Sequence, residues 1–337
     1  MRLVLIGFGN LGKGLSRTLA EKEPFLRKKY GLSPKIVAVV DEFGAVVNEK
    51  GLSLQKLLAI VERGGNVTSL PGAKKGKLAF GTIEDVEADV VFELTPTNII
   101  TGEPGLSHIK AAMKAGRHVI TSNKGPLVVA FQELASLAKK HGIEFRYSSS
   151  VGGAIPVIEL ARKLLAGNEV LEIQGVLNGT TNYILTRMGE EGAPFDMVLK
   201  EAQELGVAEK DPTLDVEGID TASKIVILAN SLLGRSAKLK DVRRVGITRI
   251  GPSAMKLAKE AGQTIKLVGV ARPHMLEVAP RLVSRDHPLS VGGTLNSVTF
   301  KLDLAREISI SGFGAGPKET SSSLLADLID IHQTLGI

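Results

Sequence analysis

Three glycines carry the first chemistry that this chain can do. In Gly7-Phe8-Gly9-Asn10-Leu11-Gly12 they stand between the apolar run of residues 2–6 and a long amphipathic stretch. Each position needs glycine for its own reason. Gly7 permits a tight turn, Gly9 removes a side chain that would block a pyrophosphate, and Gly12 lets a helix pack close on a strand while its free N–H groups face the phosphates. The spacing therefore predicts a dinucleotide fingerprint, with Gly7, Phe8, Gly9, Asn10, Leu11 and Gly12 as cofactor-binding residues. The same stretch also reads GxxxxGK through Lys13. A nucleoside triphosphate loop would need a serine or threonine hydroxyl next, for magnesium, and Gly14 stands there instead. At the end of the second expected strand, Asp41 is placed where an acid binds a ribose 2′-hydroxyl and repels a 2′-phosphate. Its neighbours Glu42 and Phe43 offer no arginine, which tilts the cofactor from NADP towards NAD, although Arg17, Lys50 or Lys56 could fold back onto a phosphate.

A nicotinamide enzyme also needs an acid or base for the hydroxyl that becomes a carbonyl. None of Tyr30, Tyr147 and Tyr183 has a lysine four residues later, the followers being Pro34, Val151 and Arg187, so the tyrosine–lysine pair of short-chain dehydrogenases is missing. With no cysteine there is no thiol nucleophile, disulfide or iron–sulfur cluster. The six histidines (His108, His118, His141, His274, His287 and His332) show no zinc-binding spacing. That leaves a lysine or histidine of the second half as the proton donor. The stretch from Ala202 to Lys224 holds Glu209, Asp211, Asp215, Glu217 and Asp220 before it enters the apolar run Ile225–Ala229. Asp220 and Lys224, four apart, share a helix face. An ordinary surface ion pair is the equal competing reading; the apolar run beyond favours a face turned into a cleft over one turned to bulk water. Pro212 and Leu214 break the alternation of oxygen ligands that a calcium loop would need.

These groups must be held by a framework. Over residues 1–148 short β-branched runs alternate with amphipathic stretches, which predicts strands at 2–6, 35–40, 89–93, 117–121 and 144–147 and helices at 11–29, 53–63, 104–115 and 126–141. This is the pattern of an α/β Rossmann-type fold, a doubly wound parallel sheet with helices on both faces. From about residue 150 the rhythm changes. A helix at 154–165, a strand at 169–177 and a long helical stretch from 181 to 233 lead to strands near 265–272, 276–282, 297–303 and 307–311. That predicts a second, α+β domain with an open mixed sheet, and a final helix at 320–335.

Composition narrows the partners. The 337 residues are 43% hydrophobic and 23% charged, enough apolar side chain for a core in each of two domains. Lysine and arginine exceed aspartate and glutamate by 42 to 36, with only 4% aromatics and no basic stretch interleaved with stacking rings, so no nucleic-acid partner is expected. The clusters Arg27-Lys28-Lys29 and Lys74-Lys75-Gly76-Lys77 read as solvated faces. No apolar run approaches the ~20 residues of a membrane span, and the N-terminus carries no secretory signal, so the expectation is a cytoplasmic protein with no membrane partner.

The spacing Ala202, Gly206-Val-Ala, Asp211-Pro212, Asp215-Val, Gly218, Asp220 and Lys224 resembles the signature of the homoserine dehydrogenases throughout. Thr121-Ser-Asn123-Lys124-Gly-Pro126-Leu is similar to that family's NK motif, Ser150-Val151-Gly-Gly153-Ala-Ile155-Pro156 to its glycine turn, and Gly175-Val-Leu-Asn178-Gly179-Thr180-Thr181-Asn182-Tyr183 to its substrate-floor segment. The resemblance implies interconversion of L-aspartate 4-semialdehyde and L-homoserine with NAD or NADP, on the route to threonine, methionine and isoleucine.

It also implies roles. Lys224 would assist proton transfer and stabilise charge on the substrate oxygen, with Lys124 as the other candidate donor and a cofactor contact. Asp220 would orient Lys224 or touch substrate, and Glu209 would bind the substrate ammonium, with Asp215, Gly179 and Thr180 also in the substrate site. Thr95 and Pro96 would pack near the nicotinamide ribose. The closing Gly312-Phe-Gly314-Ala-Gly316 would return the chain to the cofactor. The implied domains are 1–148 with 312–337 for the nucleotide, and 149–311 for substrate, catalysis and homodimer formation. The carbonyls of Val151, Gly153 and Ile155 would form a sodium site, with Ser148 standing where some members carry a glutamate. A plain hinge turn is the equal alternative there. No regulatory ACT module is expected. Two other readings stay open: a catalytically silent NAD(P)-binding sensor, and a dehydrogenase of another small hydroxy or oxo acid.

Overall fold

The computed structural model describes residues 1–76 and 78–336, so Lys77 of the second basic cluster lies outside the described residues. Two compact units emerge: Met1–Ser150 with the segment from Gly316 onward, and Val151–Ala315.

In the first unit β1 (Arg2–Ile6) leads into α1 (Asn10–Tyr30), then β2 (Lys35–Val40), β3 (Gly44–Val47), α2 (Leu54–Glu62), β4 (Lys74–Lys75), α3 (Ala79–Asp85), β5 (Val90–Glu93), α4 (Gly105–Lys114), β6 (His118–Thr121), α5 (Lys124–His141) and β7 (Phe145–Arg146). The sheet order is β4-β3-β2-β1-β5-β6-β7. Strands β2, β1, β5, β6 and β7 pair in parallel as the apolar runs predict, whereas β3 and β4 pair antiparallel at one edge. The expected doubly wound parallel sheet is thus present, with an antiparallel pair added at one edge. The cause is local: Asp41 accepts the Phe43 and Gly44 amides at 2.8 and 3.0 Å, closing a turn that sends the chain straight back along β2. Helix α1 turns Leu15, Leu19 and Leu26 onto the sheet residues Leu3, Leu5 and Val39, and Gly31, with φ of 70°, caps it in the left-handed conformation. The chain order reverses between β1 and β5, which opens a crevice at their carboxyl ends.

The second unit begins with one short helical turn, α6 (Val157–Glu159), continued as a π-turn over 160–164, where a regular helix over 154–165 was expected. Strand β8 (Val170–Val176) follows. The single helical stretch expected over 181–233 is four helices: α7 (Gly179–Glu191), α8 (Phe195–Glu204), α9 (Thr213–Val216) and α10 (Ile219–Leu232). Gly192, Pro194, Gly206, Pro212 and Gly218 interrupt them, because a left-handed glycine ends a helix and proline cannot continue one. Then come β9 (Arg243–Arg244) and α11 (Pro252–Glu260), both unforeseen, and β10 (Gln263–Arg272), β11 (Met275–Ser284), β12 (Leu295–Leu302) and β13 (Glu307–Phe313). The open mixed sheet runs β13-β12-β8-β10-β11-β9, antiparallel except for β9 against β11. Helix α10 lies directly on β10 because Gly269 has no side chain there; a Cβ would come within 2.6 Å of Ile225. The chain then re-enters the first unit as α12 (Pro317–Leu335), whose Leu324, Leu328 and Ile331 complete the core around Leu3 and Leu5. Among the described residues no helix is long and apolar enough to cross a membrane.

Candidate functional site

The crevice of the first unit is a cavity of about 940 Å³. Phe8, Gly9, Asn10 and Leu11 line one side, Asp41 a second, and Thr95 and Pro96 a third. Gly7 has a φ of +103°, and a Cβ on it would lie 2.6 Å from the Leu94 carbonyl, so both its conformation and its surroundings require glycine. Gly12 is closed off by the Gly7 carbonyl, 2.5 Å from where its Cβ would be. Gly9, by contrast, has nothing within 4 Å and caps α1 with no acidic residue in the first turn. An unobstructed helix N-terminus at the edge of a cavity offers free N–H groups and a positive dipole end to an anion such as a pyrophosphate. These residues fit a dinucleotide.

Asp41 is more tightly held than its sequence position suggests. Besides the two turn amides, its other oxygen accepts the Val67 amide at 3.0 Å, so the carboxylate organises three backbone N–H groups while facing the cavity. Lys124 is the first residue of α5, capped by Asn123, whose Oδ1 accepts the Gly125 amide at 3.1 Å.

The second unit gathers its polar residues where β8 ends and α7 and α10 begin. Lys224 is buried in a helix whose residues 221–230 are all buried. Its Nζ lies 2.7 Å from Asp220 Oδ2 and donates to the Leu177 carbonyl at 2.5 Å. Asn178 ties the cluster together: its Nδ2 donates to Asp215 at 2.6 Å and to Asp220 at 3.0 Å, while its Oδ1 accepts the Thr181 amide and caps α7. Burial pushes the Asp215 carboxyl up from its ordinary value, and Asp220 adds to this, while the bond from Asn178 and the charge of Lys224 oppose it. Gly179 and Thr180 follow Asn178 in the first turn of α7, and the Thr180 hydroxyl donates to the Val207 carbonyl at 2.9 Å.

Lys224, Asp220, Asp215, Gly179 and Thr180 are therefore brought together around Asn178, which the sequence placed in the substrate-floor segment without a role of its own. An asparagine ahead of a glycine at a strand end was the available signal. Glu209 is exposed in the loop before α9, with its carbonyl held by Gln203. The turn of Val151, Gly153 and Ile155 is buried against the end of β13: Ala154 donates to the Phe313 carbonyl at 3.2 Å, and a Cβ on Gly153 would come within 2.5 Å of Gly314. Ser148 donates its hydroxyl to Asp327 at 2.6 Å. Among the described residues no three histidine, aspartate or glutamate side chains cluster as metal ligands.

Known proteins share this organisation. A family model described as homoserine dehydrogenase matches residues 156–329, and one described as the NAD binding domain of homoserine dehydrogenase matches residues 7–148. The homoserine dehydrogenase of Methanocaldococcus jannaschii is 49% identical over 334 residues, covering 99% of each chain. An NAD(+)-dependent homoserine dehydrogenase of Pseudomonas canavaninivorans is 39% identical, covering 99% of this chain and 96% of that one. A hyperthermophilic archaeal homoserine dehydrogenase solved in complex with NADPH matches with a TM-score of 0.86 at 26% identity, covering 100% of this chain and 98% of the other. With both halves matched and a relative nearly half identical from end to end, the chain belongs to the homoserine dehydrogenase family.

Proposed function

We infer that the protein interconverts L-homoserine and L-aspartate 4-semialdehyde with a nicotinamide dinucleotide, in the cytoplasm, as a homodimer formed through its second unit, and serves synthesis of threonine, methionine and isoleucine. The observation that carries this reading is the buried Lys224 ammonium, held by Asp220 and the Leu177 carbonyl with its third N–H left to reach a substrate oxygen. The dinucleotide, bound along Gly7 to Gly12, supplies the acceptor or donor of hydride. The remaining work falls to side chains. Lys224 stabilises negative charge on the substrate oxygen and passes a proton to it in the reductive direction. Asp220 fixes the lysine, Asp215 and Glu209 offer carboxylates for the substrate ammonium, and Lys124 at the start of α5 is the second candidate donor. A monovalent cation on the carbonyls of Val151, Gly153 and Ile155 would brace that turn. That turn offers neutral carbonyls and no carboxylate, a donor set too weakly charged for a divalent ion.

NAD is the favoured cofactor. Asp41, facing the cavity with its carboxylate anchored by three backbone amides, would accept a ribose hydroxyl and repel a phosphate. The test is growth of the reduced-nicotinamide absorbance with L-homoserine and NAD⁺ or NADP⁺, and its decay from the semialdehyde side. Turnover with NAD⁺ ahead of NADP⁺ is expected; flat traces with both cofactors in both directions would overturn the reading in favour of a silent nucleotide sensor.

A further inference from the structure

Glu93 ends β5 with no exposed surface at all. Its Oε1 accepts the Thr95 amide at 3.1 Å and also the Thr95 hydroxyl, while its Oε2 is 3.2 Å from the Thr121 hydroxyl at the end of β6. His108, one turn into α4, faces Oε1 with Nδ1 at 3.8 Å. Gly105, which opens α4, leaves the room: a Cβ there would come within 2.9 Å of Glu93 Oε2 and 2.6 Å of Asn123 Nδ2. The carboxylate thus rests against the start of a ten-residue helix, where its charge is favoured.

The network runs on to α5. Asn123 donates its backbone amide to Thr121 Oγ1 at 3.0 Å and its Nδ2 to the Thr95 carbonyl at 3.2 Å, while its Oδ1 caps the helix that begins at Lys124. One buried carboxylate therefore ties together two strand ends, the Thr95 turn and the first turn of α5. Burying a carboxylate is a costly way to hold a turn when an apolar contact would do. What it provides is a fixed orientation for Thr95, which lines the cavity beyond β5, on the opposite side of β1 from Asp41. In a doubly wound sheet the adenosine half of a dinucleotide lies over the β1–β2 side, so the β5 side receives the redox half.

We propose that Glu93 is a positioning residue for the nicotinamide end of the cofactor, acting through Thr95 and Asn123. The proposal rests on the dinucleotide reading of the cavity, and binding tests it independently of turnover. Glu93→Gln keeps the shape but removes the charge and turns one of the two acceptor oxygens into a donor. It should weaken NADH, read by its fluorescence on titration, about tenfold, while ADP-ribose, which lacks the nicotinamide, stays within about twofold. Thr95→Val, which removes the hydroxyl, should reproduce part of the loss, Thr95→Ser should restore it, and the double variant E93Q/T95V should be no weaker than its worse parent, because contacting partners are non-additive. Equal weakening of NADH and ADP-ribose, no weakening of either, or additive losses in the double variant would overturn the proposal. An inert parent that still binds NADH would overturn the homoserine reaction and leave this assignment standing.

Discussion

Lys224 and Asp220 face each other one helical turn apart on α10, Nζ to Oδ2 at 2.7 Å, with the lysine side chain 9% and the aspartate side chain 13% exposed. In that setting the ammonium keeps two fixed acceptors and one free donor direction. Lys224→Ala should therefore reduce kcat by about 10³-fold or more, the range of a lost charge-stabilising donor with its proton transfer, while dinucleotide affinity changes less than about twofold. Steady-state kinetics beside NADH titration checks both numbers, and surviving turnover would move the proton donor to Lys124.

Asn178 holds both aspartates and caps α7 at once. Asn178→Ala should cost about 1 kcal/mol of stability from the lost cap and raise KM for homoserine more than it lowers kcat, because two carboxylates lose their common donor. Asn178→Ser restores a cap but not the bridge. It should regain the stability and not the KM, as read from urea unfolding and initial rates.

Two neighbouring glycines should separate folding from binding. Gly7→Ala forces a side chain into a φ of +103° and against the Leu94 carbonyl, so it should destabilise the first unit by about 2 kcal/mol or more. Gly9→Ala meets no atom of the protein and should leave stability within about 0.5 kcal/mol of the parent. Its dinucleotide affinity should nevertheless fall at least about tenfold, since the new methyl occupies the pyrophosphate seat. Thermal unfolding and NADH titration of the two variants test the contrast.

Lys266 on β10 is buried against α7, donating to Asn182 Oδ1 at 2.8 Å and Thr186 Oγ1 at 3.0 Å. Desolvation pushes its ammonium down to about 8 from the usual 10.5, with Glu190 opposing the shift. The unfolded chain consequently binds more protons between those two values, so this lysine's contribution to stability rises with pH from about 8 to 10.5 and is constant and unfavourable below that window. Lys266→Met should be more stable than the parent by about 1 kcal/mol at pH 7, less than the pKa displacement alone would suggest because Asn182 Oδ1 loses its donor. The advantage should vanish by pH 10. Chemical denaturation at the two pH values checks it; a gap that does not change with pH would mean that the ammonium is not the strained group.

Local chemistry was legible in the residues and long-range chemistry was not. The turn at Gly7 to Gly12 and the pairing of Asp220 with Lys224 are set by spacings within one turn of chain, and both read directly from the sequence. Strands β3 and β4, four and two residues long, are too short to show a period, so the antiparallel edge was invisible. The breaks within residues 181–233 were spelled out by Gly192, Pro194, Gly206 and Pro212, but the apolar periodicity ran across them and outweighed them. Asn178 and Glu93 matter because of partners 28 to 42 residues away, Thr121, Asp215 and Asp220, and no local pattern announces such a meeting.

The helix α12 has a consequence for how the molecule is made. Leu324, Leu328 and Ile331 belong to the core that Leu3 and Leu5 begin, yet the whole of the second unit is translated between them. At about 5–20 residues per second, a ribosome leaves the nucleotide-binding half without its closing helix for roughly ten seconds or more. Vectorial synthesis therefore completes the inserted unit first, and the half that starts the chain is the last to become whole.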